Sequence, residues 1–549
     1  GGSAPPERDS WIGGAQESQR ADMTELSEIG GILARSGDPE DFSSALNRLH
    51  RLLETDISTQ GPCISQGVAD SVVVALEERK GGLLAEAHLA AVKVLRTLMR
   101  NPEGLQWMVQ GRAVAALSGV LRRCEDYGKS AAQEAVIVFL SLSASRANED
   151  VLLRSGSVEA MLDFVKGAQG GGQADVLALK VLMNLSSSAN VRTILVGSGG
   201  IETLLAIAGS DEPGDRQLQA LKNLMNLAAS MELKVEMLNR GAVQVLMKSI
   251  QAGTATGTEE SLLALKGVMN LVCHQDTKVP MVEQGVIEAM LSLCSAGEVP
   301  QEHQVQCVRI LMSMATHRDT KVPMVERGAA DIAVTLALEA LQQGEAGREL
   351  QLECLKTLMN LSAHMETKAT MVSSSKGVVP LLVRCALGDG SARGSDHQLH
   401  ALRTLTSLSV GESVEQAVVD GGAIPTLVAV AGDAGLAGTE HQLQAVNAIM
   451  NLSAAGGAVK QALVDGGCVE ALGAATRGTP EGENRLQAVK ALANLCAGRE
   501  MPAQLVERGC AEALSGLARH AGGCQEHAVK ALSYLCSGDE GARDELVYR

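Results

Sequence analysis

The chain repeats itself, and this constrains it more than any other property, because a segment that recurs at fixed spacing must fold into one supersecondary unit many times over. DTKVPMVEQG at 276–285 returns 43 residues later as DTKVPMVERG at 319–328, with one residue changed. A second phrase, Leu-Met-Asn-Leu at 182–185, 224–227 and 358–361, sets a register through the chain. Its third position recurs as Arg100, Ser141, Asn184, Asn226, Asn270, Ser313, Asn360, Ser407, Asn451, Asn494 and Tyr534, at spacings of 40 to 47 residues. Glycines keep the same period at Gly67, Gly111, Gly156, Gly199, Gly241, Gly285, Gly328, Gly377, Gly421, Gly466 and Gly509.

Within one unit the pattern predicts three helices, and residues 186–229 show it well. NVRTILVGSGG reads as a short helix ending at paired glycines, which supply a left-handed turn without a Cβ penalty. IETLLAIAGS follows as a second, apolar helix, and Asp211, Pro213 and Gly214 break the chain. RQLQALKNLMNLAAS then places Leu218, Leu221, Leu224, Met225 and Leu227 at the spacing of a longer amphipathic helix. No such triplet buries its apolar face alone, so neighbours stack around a shared core. Pro280 and Pro323 are expected in the first turn of the short helix, where a missing N–H costs little.

These residues resemble the armadillo repeat, which has helices in this order, a glycine turn between the first two, and an Ala/Leu-rich third helix ending in Asn-Leu-Ser. GGAIPTLVAV at 421–430 with AVNAIMNLS at 445–453 is similar to that pattern almost letter for letter. The resemblance covers roughly residues 45–549 and implies an all-α, right-handed α-solenoid of about eleven to twelve armadillo repeats. Atypical units at the two ends, around Leu46 to Leu76 and Gly541 to Arg549, are expected as caps. Residues 1–20 are expected to be disordered and 21–44 to form an N-terminal helical cap. The Gly-rich stretches at 167–175, 252–258 and 387–396 are expected as flexible loops between second and third helices.

Composition fits an intracellular array. The twelve cysteines include no C-x-x-C pair, and Cys273, Cys307, Cys354, Cys496 and Cys536 fall within or just after third helices, where buried free thiols are expected. No apolar run approaches the ~20 residues needed to span a membrane. The expected location is cytoplasmic, with nuclear or cytoskeleton-associated sites as variants. There is no phosphate loop, no G-x-S-x-G elbow and no H-E-x-x-H motif, so no enzymatic activity, cofactor or metal is expected. His397, His400 and His441 have no thiolate or carboxylate partners at ligand spacing and read as helix-surface residues.

Four residues before each anchor stand Arg96, Ile137, Lys180, Lys222, Lys266, Arg309, Lys356, Arg403, Asn447, Lys490 and Lys530: nine of eleven are basic and none is acidic. The overall Lys and Arg content would put about one basic residue there. Residues four apart share a helix face, so each cation lies beside an amide or hydroxyl. In armadillo proteins this face lines a concave groove whose Asn holds an extended peptide backbone. The resemblance carries that role to Asn184, Asn226, Asn270, Asn360, Asn451 and Asn494, with the neighbouring Lys or Arg selecting acidic side chains. At a net charge of −17, acids are expected to crowd other surfaces while this one stays basic.

The groove of nuclear-import adaptors resembles a tryptophan ladder among acids, but the only tryptophans here are Trp11 and Trp107, outside the ladder, so the chemistry is closer to the catenin type. Nucleic acid is disfavoured by an aromatic content of 1%, since single strands need stacking platforms. Two readings stay open. The cations either select acidic segments of partner proteins, or merely keep the solenoid solvated while a scaffold subunit docks through its convex surface and rim loops. The oligomeric state is not legible in the sequence.

Overall fold

The computed structural model describes residues 9–36, 38–78, 85–167, 172–211, 214–253, 257–296, 299–373, 376–388, 393–478, 482–498, 501–519, 523–538 and 543. Parts of the three Gly-rich stretches, at 168–171, 254–256 and 389–392, lie outside them, as do residues 1–8 and, except for Arg543, residues 541–549. The fold is an all-α solenoid, with no strand among the described residues. Its helices group into two compact units, Gly1–Ser249 and Ile250–Arg549, where the sequence reads as one uninterrupted array.

The unit at 186–229 shows how sequence becomes structure. Its helices are Ala189–Gly197, Gly200–Ala208 and Asp215–Ala228, joined by Gly199 at φ +70°. A left-handed residue recurs between first and second helices, as at Gly285 (φ +76°) and Gly328 (φ +88°). Two later units shift it by one residue, to Gly422 and Gly467, while Gly111 is extended at φ −96°.

In the first unit the third helices are Pro39–Thr55, Ala85–Leu98, Lys129–Ser143, Gln173–Leu185 and Asp215–Ala228, each packed on the next. In the second they are Glu259–Val272, Gln301–Met314, Arg348–Ser362, Asp396–Leu408, Glu440–Ser453, Glu483–Cys496 and Gln525–Gly538, again packed in succession. Second helices stack on one another in parallel with them. The core lies between the two layers: Leu265, Val268 and Leu271 of one third helix and Ile287 and Met290 of its second helix are fully buried. A single helix, Asp9–Arg35, starts inside the segment 1–20 expected to be disordered and runs through most of the 21–44 cap.

The duplicated decapeptide now has a physical explanation. Thr277 and Thr320 are fully buried, and their hydroxyls donate to Leu271 O (2.7 Å) and to Met314 O at the C-terminal ends of the preceding third helices. The next residue reaches the other way. Lys278 donates to the Thr316 hydroxyl, Lys321 to Asn360 O (2.8 Å) and Lys368 to Val410 O (3.2 Å), at or just beyond the end of the following third helix. Each Thr-Lys pair therefore ties two helix C-terminal regions: the threonine satisfies a carbonyl of the preceding third helix, and the lysine places positive charge at the negative end of the following one, on a carbonyl for Lys321 and Lys368 and on the Thr316 hydroxyl for Lys278.

Pro280 and Pro323 do not sit in the first turn. The helices run Gln275–Glu283 and Arg318–Glu326, with both prolines in their interiors. The helices begin earlier than expected because the imidazoles of His274 and His317 accept from Asp276 N and Asp319 N, each at 3.2 Å, and so act as N-caps. Among the cysteines, Cys307, Cys354 and Cys496 are buried as expected, whereas Cys273 and Cys536 are exposed. Cys273 lies just past its helix, with its thiol on Met269 O at 3.2 Å. Burial pushes the Cys354 thiol well above the usual range.

Candidate peptide-binding face of the third helices

The expected cations and amides all stand on partly exposed faces of third helices. The two units are described separately.

In the first unit, Arg96 lies on Ala85–Leu98, Lys180 and Asn184 on Gln173–Leu185, and Lys222 and Asn226 on Asp215–Ala228. Arg96 Nη1 contacts Glu134 Oε2 at 2.7 Å on the next third helix. Asn184 and Asn226 are exposed, and Asn184 Nδ2 donates to Ser143 Oγ of the preceding repeat at 3.1 Å.

The second unit carries the longer series, with Lys266 and Asn270 on Glu259–Val272, Arg309 on Gln301–Met314, Lys356 and Asn360 on Arg348–Ser362, and Arg403 on Asp396–Leu408. Asn451, Lys490, Asn494 and Lys530 continue it on the following third helices. The amides act as staples between repeats. Asn360 Nδ2 donates to Met312 O (3.2 Å), Asn451 Nδ2 to Thr406 O (3.2 Å), and Asn494 Nδ2 to Ser453 Oγ (3.2 Å). Where the anchor is Ser407, its hydroxyl does the same job on Ser362 O at 2.8 Å. In Asn360 and Asn451 the second N–H and the amide oxygen have no protein partner among the described residues and can hold a peptide unit, whereas Asn494 Nδ2 also donates to Met450 O at 3.4 Å and keeps only its oxygen for that task.

The expectation that acids crowd other surfaces while this one stays basic is corrected, although the eleven cation positions themselves hold no acid. Lys266 Nζ lies 3.3 Å from Glu302, Arg309 2.7 Å from Glu349 and 3.6 Å from Glu353, Lys356 3.3 Å from Glu353, and Arg403 3.5 Å from Glu440. In most pairs a cation on one third helix meets a carboxylate near the start of the next. The signal was present in the sequence: eleven residues before the anchor stand Asp215, Glu259, Glu302, Glu349, Asp396, Glu440 and Glu483 in consecutive units. Among the described residues Lys180, Lys490 and Lys530 form no ion pair.

Two further rows escaped the sequence reading. Lys278 and Lys368 are 2% and 5% exposed and Lys321 is half-buried, and none has a carboxylate partner among the described residues. Burial pushes all three ammonium groups below the usual lysine range. The second row is methionine: Met183, Met225, Met269, Met312, Met359 and Met450 each precede an anchor and are partly exposed. The histidines do not converge. His397 Nε2 contacts Arg348 O (2.8 Å), His441 Nε2 contacts Ser395 O (3.0 Å), and His400 Nδ1 contacts Met359 Sδ (3.4 Å). Burial lowers the His400 pKa, with Arg403 and Lys356 adding to the effect.

Comparison with known proteins agrees with the fold. No protein-family model matches the sequence, and no curated protein is significantly similar to it. Solved structures do match. One is the crystal structure of an engineered protein, at 22% identity and a TM-score of 0.59, covering 77% of this chain and 99% of that one. Another, at 14% identity and a TM-score of 0.61, covers 94% of this chain and 99% of a chain from work on a phosphorylation switch controlling the interaction between cadherin and beta-catenin. At these identities the likeness establishes the fold, a helical-repeat solenoid of the kind found in that structure.

Proposed function

We propose that this chain is an armadillo-type, non-catalytic protein-interaction module, acting in the cytoplasm, that binds extended acidic segments of partner proteins along its third helices. The carrying observation is the recurrence of a Lys or Arg beside an Asn on partly exposed third-helix faces, as at Lys356 and Asn360 or Lys490 and Asn494. Asn Nδ2 and Oδ1 would clamp the backbone of the incoming segment, whose polar groups need partners on leaving water. Its carboxylates would take over the cations now held by Glu302, Glu349 and Glu440. That exchange is physically accessible, because ion pairs this exposed contribute only ~0–1 kcal/mol each. Stacked helices ~8–10 Å apart and ~6.6 Å per two extended residues fit about one residue pair per repeat on a curved surface. The likeness to a structure concerned with a cadherin and beta-catenin interaction supports a protein partner.

A second reading is favoured by the ion pairs themselves. If Glu302, Glu349, Glu353 and Glu440 satisfy the cations permanently, the row is a solvated helix face and the protein is a scaffold subunit docking through second helices and loops. Partner capture from native lysate separates the two, comparing wild type with a Lys266→Glu, Lys356→Glu, Lys490→Glu triple variant of matched helicity and melting temperature. Selective, salt-sensitive loss of partners supports the acidic-segment site. An unchanged partner set refutes it in favour of the scaffold.

A further inference from the structure

The methionine row carries an inference about what the partner segment looks like. In the register of the repeat, the residue before the anchor is Met in seven of eleven units, although the whole chain has only 20 methionines among 549 residues. A packing role alone does not explain this. Core positions on the same helices are filled by Leu and Val and are fully buried, as at Leu265, Val268 and Leu358, whereas Met269, Met312 and Met359 are partly exposed.

These methionines lie three residues beyond the cation, on the same helix face. At 1.5 Å rise per residue, the two rows are separated along the helix axes by ~4.5 Å, close to the ~4.8 Å width of one extended strand. A strand crossing the third helices between the rows would direct alternate side chains to opposite sides, one set to the cations and the other to the thioethers. Thioethers suit the second task because they are flexible and polarisable and repack around different apolar shapes. Met359 is further positioned by His400 Nδ1, 3.4 Å from its sulfur.

We propose that the occupant of this face in the second unit is a segment in which acidic residues alternate with large apolar ones. The acidic side chains meet Lys266, Arg309 and Lys356, and the apolar ones meet Met269, Met312 and Met359. The inference rests on the acidic-segment reading above and specifies its partner.

The test uses the full chain and three fluorescein-labelled peptides of about twelve residues, long enough at ~3.3 Å per residue to cross three repeats. One alternates Asp and Leu, one Asp and Ser, and one Asn and Leu. Wild type should bind Asp/Leu about tenfold or more tighter than either of the others, through combined apolar burial and charge pairing. A Met269→Gln, Met312→Gln, Met359→Gln variant should lose the advantage of Leu over Ser while keeping wild-type affinity for Asp/Ser. Equal affinity of wild type for Asp/Leu and Asp/Ser overturns the methionine row and leaves the acidic-segment reading standing. Equal affinity for Asn/Leu and Asp/Leu overturns the acidic-segment reading and the alternation built on it. Absence of binding by all three overturns both. If the triple variant does not fold, the wild-type series alone decides.

Discussion

Removing acids from the cation row should strengthen the protein's hold on acidic peptides. Lys266 and Arg309 are engaged by Glu302 at 3.3 Å and by Glu349 at 2.7 Å, and the two carboxylate side chains are 60% and 62% exposed. A ligand carboxylate must displace these internal partners, so Glu302→Gln with Glu349→Gln removes a competitor at two sites. Exposed pairs of this kind contribute roughly 0.5 kcal/mol each, so the double variant should gain about 1 kcal/mol, or a roughly fivefold lower Kd, for the Asp/Leu peptide. Fluorescence anisotropy in dilute buffer measures the gain. At ~1 M salt, where the screening length falls to ~3 Å, it should largely vanish. Glu339→Gln, an exposed acid on the second helix Ala329–Gln342, removes one negative charge away from the row and should change little. The reasoning fails if the double variant binds no more tightly than this control, or if the gain survives high salt.

Gly285→Ala and Gly328→Ala force a Cβ into left-handed backbone at φ +76° and +88°, and each should lower stability by ~1–2 kcal/mol, read as a lower melting temperature. Thr320→Val keeps the shape of a fully buried side chain but removes its hydrogen bonds to Met314 O and His317 O; a loss of ~1–3 kcal/mol in urea denaturation is expected. His88 is 3% exposed, packs against Tyr127 with ring centroids 4.4 Å apart and ring planes tilted by 51°, and both its ring nitrogens lack partners among the described residues. Burial holds its pKa below the unfolded value of ~6.5, so the unfolded chain takes up the proton first. Its contribution to stability is complete above about pH 6.5 and declines as pH falls below that value. His88→Phe should therefore make urea midpoints fall less steeply between about pH 7.5 and 5.5.

The repeat and its helices were legible because their signals are local. Apolar spacing within 215–228 and the glycine at 199 place the helices of that unit almost to the residue. What was not legible depends on contacts between repeats. Treated one helix at a time, Lys266 has no acidic neighbour on its own face, and its partner Glu302 appears only when the next repeat is laid alongside. The same arithmetic that found the cations would have found the acids. Lys278 and Lys368 would be placed outside by residue type, and they are buried because a neighbouring helix end supplies the acceptor. His274 is not a usual N-cap residue, so its helix started earlier than the Pro280 signal implied.

Position-specific photocrosslinking tests the central claim most directly, with a photoreactive residue placed at the exposed Glu302 on a third helix or at Glu339 on a second helix, followed by identification of the captured segment. The account predicts adducts from the Glu302 position to an acidic, extended stretch of a partner, suppressed by Lys266→Glu with Lys356→Glu, and few from Glu339. Adducts concentrated at Glu339 and indifferent to those substitutions would contradict it.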